Sequence, residues 1–450
     1  MNILQLTPGA GAMYCGNCLR DNALVAELRA LGHEVLMVPL YLPLTLDEPD
    51  ETQGTPIFFS GINVYLEQKS PLFRRAPAWF HHLMTSRRLL GWAAGKAAKT
   101  RPAEAGELTL SMLKGEAGFQ ARELDELVGW LKSQPRPDVI FLSNALLVGM
   151  VHRLRAALGS PVVCMLQGED SFLDRLPDAC RSACWELLAR RAKEVDLFVS
   201  PTRYFGDLMR QRLSLPQDKV RVVYNGINLR GYTGGAAEGS AAVREPSSVG
   251  PGSIPAVRPS PPVLGYFTRM CREKGLDRLV EAYLEIRRRG RVPDLRLRVG
   301  GSCGPTDEPL VKELRGRLAA AGCLTEAEFF PNLDRAAKLE FLKSLSVFSV
   351  PAFYGEAFGL YVIEALAAGV PVVQPRTAAF PELVEATGGG VLCAPDSSEA
   401  LALAIESLLL DPERAAAMGR AGQQAVFQRF SAGAMAEGMV GVLKGLPAVG

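Results

Sequence analysis

Residues 346–375 read SVFSVPAFYGEAFGLYVIEALAAGVPVVQP. The run 346–352 is apolar without alternation, as in a strand covered on both faces. The loop Gly355-Glu356-Ala357-Phe358 follows, and a helix is expected to begin near Gly359. Residues 371–375 form a second apolar run. Strand, helix, strand in this order makes two parallel neighbours in one sheet.

The same alternation extends outward in both directions. On the C-terminal side, strands are predicted at 263–267, 295–301, 327–333 and 390–394, with helical patterns from 397 to 446. On the N-terminal side they are predicted at 2–7 (NILQLT), 34–40, 138–143 (DVIFLS), 161–167, 196–200 and 220–225. Asp21 to Leu31 reads as an amphipathic helix. The predicted class is α/β, with two doubly wound parallel sheets. Residues 231–261 are rich in Gly, Ala, Ser and Pro and too poor in large apolar residues to bury a core, so they read as a linker or loop. The expected division is 1–230, linker 231–261, 262–430, and a C-terminal helix over 431–450 that returns to the first half. Residues 41–137 show no clear pattern. Ligands of such sheets gather at the carboxyl ends of the strands, here expected in a cleft between the halves.

Composition agrees with a two-domain enzyme. The chain has 450 residues, and 48% hydrophobic residues can fill two cores. Lys+Arg is 50 against 48 Asp+Glu, a balance that argues against a nucleic-acid binder. Nine cysteines are too few for a disulfide scaffold and suit a reducing compartment. The start MNILQLTPG reads as a strand rather than a signal peptide, and no run of 18 apolar residues occurs. A cytoplasmic protein is expected.

Glu356 and Glu364 lie eight residues apart, the first on the loop and the second expected two turns into the helix. A helix N-terminus carries unpaired N–H groups and a partial positive charge that suit phosphate, and carboxylates accept hydrogen bonds from sugar or ribose hydroxyls. A helix with one glutamate at its start and another on a solvated face fits the spacing equally well.

The two glutamates, followed by ALAAGVPVV at 365–373, resemble the retaining glycosyltransferases of family 4. Three further blocks agree: 264–275 (LGYFTRMCREKG), 220–228 (VRVVYNGIN) and 17–35, ending LRALGHEV. The resemblance covers nearly the whole chain and implies a GT-B fold, two facing Rossmann-like domains. It places a nucleotide-diphospho-sugar donor on the C-terminal domain and a hydroxyl acceptor on the N-terminal one. By position, Arg269 and Lys274 would grip the diphosphate, Glu356 the sugar hydroxyls and Glu364 the ribose. The amides near Phe358, Gly359 and Leu360 would join the phosphate site.

The chemistry is consistent with those roles. Negative charge develops on the leaving diphosphate and needs a metal or fixed cations. No Asp-x-Asp occurs and only four histidines are present. A metal site of that type is therefore not signalled, and no cofactor is expected. Retention, implied by the resemblance, would follow front-face displacement or a short-lived ion pair, with a leaving phosphate oxygen taking the acceptor proton.

The first loop, PGAGAMYCG at 8–16, fails the dinucleotide fingerprint because Tyr14 stands at the third glycine position. Gly9 and Gly11 are expected near the donor phosphate or acceptor, or simply in a tight turn. Gln167 stands where many members of the resembling family carry histidine; with Glu169 and Asp170 it is assigned to the acceptor side, a helix-capping aspartate being the plainer alternative. Thr377 to Glu382 replaces a loop that is often glycine-rich in that family. Cys15 and Cys18 resemble a redox motif, and Cys180 and Cys184 form a second close pair; structural roles are favoured. From 68 to 103 there is no Asp or Glu, while eight Lys or Arg alternate with aromatic and aliphatic residues. That stretch suits peripheral contact with an anionic membrane face or a charged acceptor. A helical hairpin with a solvated basic face is favoured, because Pro71 and Pro77 interrupt a long helix. The reading is a metal-independent retaining hexosyltransferase. The alternatives are a silent nucleotide-sugar binder and, behind it, a protein regulated through Cys15 and Cys18.

Overall fold

The structure is a computed structural model. It describes residues 1–9, 16–44, 46, 48–59, 102–232 and 261–446. Gly11, Cys15, almost all of the basic 68–103 stretch and almost all of the 231–261 linker lie outside the described residues. The chain forms two compact units, Met1–Gly226 with Ala432–Gly450, and Ile227–Ser431.

The first unit runs β1 (Asn2–Thr7), α1 (Gly16–Ala30), β2 (Glu34–Pro39), α2 (Pro102–Lys114), α3 (Ala121–Leu131), β3 (Val139–Leu142), α4 (Val151–Leu158), β4 (Val162–Met165), α5 (Glu169–Leu173), α6 (Asp178–Arg191), β5 (Leu197–Ser200), α7 (Arg203–Arg212) and β6 (Val220–Val222). Its six strands lie in the order β2-β1-β3-β4-β5-β6. All pairs are parallel, with Asn2 beside Glu34 and Ile3 beside Val139. β3, β4 and β5 are buried throughout, which is why their sequences do not alternate. α2 and α3 occupy the region that shows no clear pattern in the sequence.

The second unit runs β7 (Val263–Phe267), α8 (Leu276–Arg289), β8 (Arg296–Gly301), α9 (Glu308–Ala320), β9 (Ala327–Pro331), α10 (Arg335–Lys343), β10 (Val347–Phe348), α11 (Leu360–Ala367), β11 (Val372–Pro375), α12 (Phe380–Thr387), β12 (Gly390–Cys393), α13 (Ser398–Leu409) and α14 (Pro412–Arg429). Its sheet is again parallel, in the order β12-β11-β10-β7-β8-β9. β10 is much shorter than the 346–352 apolar run. Ser349 N–H still bonds Gly265 O at 3.0 Å, but Ala352 N–H then turns back to Val350 O at 2.8 Å, and Pro351 has no donor.

The last helix, α15 (Ala432–Leu443), belongs to the first unit and packs against α1. Met435, Ala436, Met439 and Leu443 make one apolar stripe, which shares a core with Ile3, Leu24, Leu28, Met37 and Phe141. Each of the larger side chains here, fully buried, contributes about 1.5–3 kcal/mol of hydrophobic stabilisation. Gly438 faces Val223, where an added Cβ would lie 2.9 Å from Val223 Cγ1. Among the described residues, no helix is long and apolar enough to cross a membrane.

Candidate functional site

Strand order reverses between β7 and β10 in the second unit and between β1 and β3 in the first. In open parallel sheets the loops leaving such a reversal diverge and open a crevice at the carboxyl ends. The loop after β7 carries Arg269 and Lys274, and the connection from β10 to α11 carries Glu356.

Two glycines set the approach of these loops. Gly275 has φ +72°, and a Cβ there would stand 2.1 Å from Pro351 O, so the β7 loop lies directly on the β10 loop. Gly301 has φ +124°, and its Cβ would meet Thr268 O at 1.9 Å, which sets the β8 loop as closely on the other side. The main chain confirms the contact through Met270 N–H to Ser302 O at 2.9 Å.

The result is a Lys274–Glu356 pair, Nζ to Oε2, at 2.7 Å. The same oxygen accepts Tyr354 Oη–H at 2.9 Å and Tyr361 Oη–H at 2.8 Å. Lys274 Nζ also lies 5.0 Å from the centre of each tyrosine ring. Burial alone would raise the Glu356 pKa. The Lys274 charge and these hydrogen bonds outweigh it and hold the carboxyl below its ordinary value. The Tyr361 hydroxyl is pushed well up, by burial first and then by the Glu356 charge, so it stays a donor. The pair keeps contact with solvent, with side-chain exposures of 19% for Lys274 and 14% for Glu356.

The other predicted residues separate into distinct arrangements. Arg269 sits on the Lys274 loop, but its guanidinium is held by the buried Asp307, with Nη2 to Oδ1 at 2.9 Å and Nε to Oδ2 at 3.0 Å. Asp307 in turn accepts Gly304 N–H at 3.1 Å, so it fixes the loop after β8 as well as the arginine. The hydrogen bond from Arg269 to Asp307 raises the Arg269 pKa. Glu364 lies about one turn into α11 rather than two, and its Oε1 meets Lys338 Nζ of α10 at 3.0 Å. Gly359 caps α11 with φ 97°. Phe358 is buried and packs on Phe430 at 6.2 Å between ring centres, so only its main chain can serve a ligand. Leu360 opens the helix. Ala378, just before α12, takes φ 51°, a left-handed conformation that costs an alanine energy, while Ala379 N–H bonds Glu356 O at 3.2 Å; the expected Thr377–Glu382 loop is helical from Phe380 on.

In the first unit, Gly9 has φ +75°, and its Cβ would meet Leu42 O at 1.8 Å. Glu169 is a clamp rather than an open carboxylate. Its Oε1 accepts Ala145 N–H at 2.7 Å, and its Oε2 accepts Gln167 N–H at 2.9 Å and Gly168 N–H at 3.1 Å. Burial outweighs these bonds and raises its pKa. Gln167 is partly exposed beside it. Asp170 is buried, with Oδ1 unpartnered among the described residues. Burial raises its pKa, Asp174 adds to this, and Arg212 opposes it. Cys18 and Cys184 are buried, and Cys180 is partly exposed. Among the described residues no group of three or more His, Cys, Asp or Glu stands ready to hold a metal ion.

Sequence reasoning missed Lys338, Asp307, Tyr354 and Tyr361, none of which sits in a pattern that distinguishes it from an ordinary helix or loop residue. It also missed the buried Arg20–Asp21 pair of α1. Arg20 Nε donates to Asp21 Oδ1 at 2.8 Å, Arg20 Nη2 donates to Ser143 O at 2.9 Å, and Thr7 Oγ1–H donates to Asp21 Oδ2. This set ties α1 to the ends of β1 and β3.

Known proteins carry the same pattern. Residues 22–226 match the glycosyl transferase 4-like domain, and residues 254–425 match the glycosyl transferases of group 1. A GDP-mannose-dependent alpha-(1-6)-phosphatidylinositol monomannoside mannosyltransferase from Mycolicibacterium smegmatis is 35% identical over 36% of this chain and 42% of its own. A D-inositol 3-phosphate glycosyltransferase from Segniliparus rotundus is 29% identical over 70% of this chain and 62% of its own. The matched region is thus less than two thirds of either relative. Anabaena HepE, solved in complex with UDP, is 18% identical, with a TM-score of 0.64 over 99% of this chain and 100% of that one. Sucrose-phosphate synthase from Thermosynechococcus elongatus is also 18% identical, with a TM-score of 0.67 over 98% of both chains. With two parallel-sheet units of this topology, and both halves answering to glycosyltransferase models, the chain belongs to the GT-B glycosyltransferases of the family 4-like kind.

Proposed function

We propose that the protein moves a hexose from a nucleotide-diphospho-sugar to a hydroxyl acceptor, with retention of configuration and without a metal ion. The observation that carries this reading is the Lys274–Glu356 pair at the strand-order reversal, where a fixed cation and a carboxylate meet on two loops and stay open to solvent. The donor would lie on the second unit. Lys274 and Arg269 would take the diphosphate, Arg269 by exchanging one of its Asp307 bonds for a phosphate oxygen. The N–H groups at Gly359 and Leu360 would add their partial positive charge. Glu356 would accept from sugar hydroxyls and Glu364 from the ribose.

In the transfer step, the bond from the anomeric carbon to the diphosphate breaks while the acceptor oxygen bonds to that carbon on the same face. The acceptor proton passes to the leaving phosphate oxygen, so no separate base is required. The cations stabilise the charge that develops on the leaving group. Gln167 and Asp170 of the first unit form the proposed acceptor side, and Gly9 and Gly11 would lie close to the donor phosphate or the acceptor. Glu169 acts there by positioning the Gln167 loop. The enzyme would be cytoplasmic, and any peripheral contact with a membrane face would run through the 68–103 stretch, for which a solvated basic hairpin is the favoured reading.

The test is calorimetric titration with UDP, GDP and ADP in EDTA, followed by turnover of the matching nucleotide sugar. Binding of one nucleotide in the micromolar-to-millimolar range usual for enzyme substrates supports the reading and selects the donor. No binding by any of the three, or binding only after a divalent ion is restored, overturns it or its metal-free form respectively.

A further inference from the structure

Lys338 lies on α10 and forms no part of the glutamate element, yet it is only 7% exposed. Its Nζ stands 3.0 Å from Glu364 Oε1. A buried ammonium is costly unless it is paired, so its place beside this carboxylate needs a reason. The Glu364 side chain is 19% exposed, and its second oxygen, Oε2, accepts no hydrogen bond among the described residues. One oxygen is thus anchored and the other presented.

The helix that carries the lysine is itself fixed. Asp334 caps it by accepting Ala337 N–H at 2.8 Å. Arg335 Nη2 donates to Asn228 O and to Arg230 O, both at 3.0 Å. Leu339 packs against Gly231, where a Cβ would stand 2.7 Å from its Cδ1. Lys338 is therefore delivered from a braced element, and a carboxylate held at one oxygen cannot rotate to present the other elsewhere.

Resting on the nucleotide-site reading above, we propose that Lys338 is the positioning residue for ribose recognition. It fixes Glu364 through Oε1, so that Oε2 alone accepts from the ribose diol. The consequence is selectivity for a ribonucleotide over its deoxy analogues. A hydroxyl reaches a preoriented acceptor, whereas a deoxy sugar leaves that acceptor desolvated and unpaired.

The experiment compares the nucleoside diphosphate that the wild type prefers with its 2′,3′-dideoxy analogue, by calorimetry, on wild type, Lys338→Met, Lys338→Arg and Lys338→Met/Glu364→Gln. Far-UV circular dichroism and melting temperature check the fold. Lys338→Met should lose about ten- to a hundredfold in affinity for the ribonucleotide and less than about threefold for the dideoxy analogue. Lys338→Arg should recover most of the ribonucleotide affinity. If Lys338→Met does not fold, the double variant, which removes both charges together, carries the test. It should bind the two ligands within about threefold of each other.

Equal loss of both ligands in Lys338→Met, or an unchanged ribo-to-dideoxy ratio in either variant, overturns the positioning role while leaving the nucleotide site standing. A wild type that binds no nucleoside diphosphate removes both readings at once.

Discussion

The two strand-order reversals are built alike and finished differently. Each sets a glycine against a neighbouring loop carbonyl, Gly9 against Leu42 and Gly275 against Pro351. Each also holds a cation–carboxylate pair. In the first unit the pair is Arg20 and Asp21, consecutive on one helix, and their side chains are 1% and 0% exposed. Thr7, Ser143 and the pair itself take up the polar atoms. In the second unit the pair is Lys274 and Glu356, brought from separate loops and left partly open. A sealed pair with internal partners can only tie elements together. An open pair on two loops can exchange a partner for a ligand. The same position in the fold thus serves as a rivet in one unit and a candidate binding site in the other.

Substitutions at the two pairs sharpen that contrast. Glu356→Gln should lower transfer by about a thousandfold or more, while urea unfolding stays within about 2 kcal/mol of wild type, since the amide still accepts hydrogen bonds. Asp21→Asn should do the reverse, costing about 3–5 kcal/mol in urea unfolding and leaving nucleotide affinity unchanged in the folded fraction. Full activity in Glu356→Gln, or a stable Asp21→Asn, would break the comparison.

The two glycines come next. Gly275→Ala should displace the Lys274 loop and cut nucleotide affinity, with about 1–3 kcal/mol of stability lost to strain. Gly9→Ala should cost similar stability and lower nucleotide affinity less than Gly275→Ala does. Nucleotide titration of both variants decides between the two outcomes.

Two glutamates that follow parallel strands, Glu169 buried and Glu356 partly exposed, should respond to acid with opposite signs. The Glu356 carboxyl is held below its ordinary 4.5, so its stabilising contribution is intact above that value and lost as pH falls through the folded-state value. The stability advantage of wild type over Glu356→Gln should therefore shrink in acid. The Glu169 carboxyl is held above its ordinary 4.5, so its ionised form burdens the fold at neutral pH and the burden lifts on protonation. The advantage of wild type over Glu169→Gln should grow as pH falls. Urea unfolding at about pH 7, 5 and 3.5 reads both. The smallest effect is at Ala378, where φ is 51°. Ala378→Gly relieves a left-handed alanine but adds unfolded-state entropy, for a net gain of about 0.5 kcal/mol in melting experiments.

The strands were legible because parallel strands buried on both faces leave unbroken apolar runs, as at 139–142 and 162–165. The end of β10 was not, because Val350 and Ala352 are buried like strand residues while Pro351 breaks the ladder. Glu356 and Lys274 could be named from local pattern, since both lie in blocks with a recognisable resemblance. Lys338 and Asp307 could not, because their roles depend on contacts 26 and 38 residues away in sequence. The opposite fates of Glu169 and Glu356 were also invisible. Both read as a glutamate after an apolar run, and only the partners, backbone N–H groups in one case and Lys274 in the other, tell them apart.

The placement of α15 has a consequence for how the chain is made. The second unit is one continuous segment, Ile227–Ser431, whereas the first needs Ala432–Gly450 to close its core. During synthesis the first half emerges early with Leu24 and Leu28 lacking the cover of Met435 and Met439. The later-born unit can complete itself first, and the older one waits for residues 432–450, so a nascent chain stopped before residue 432 should expose apolar surface in its N-terminal half alone.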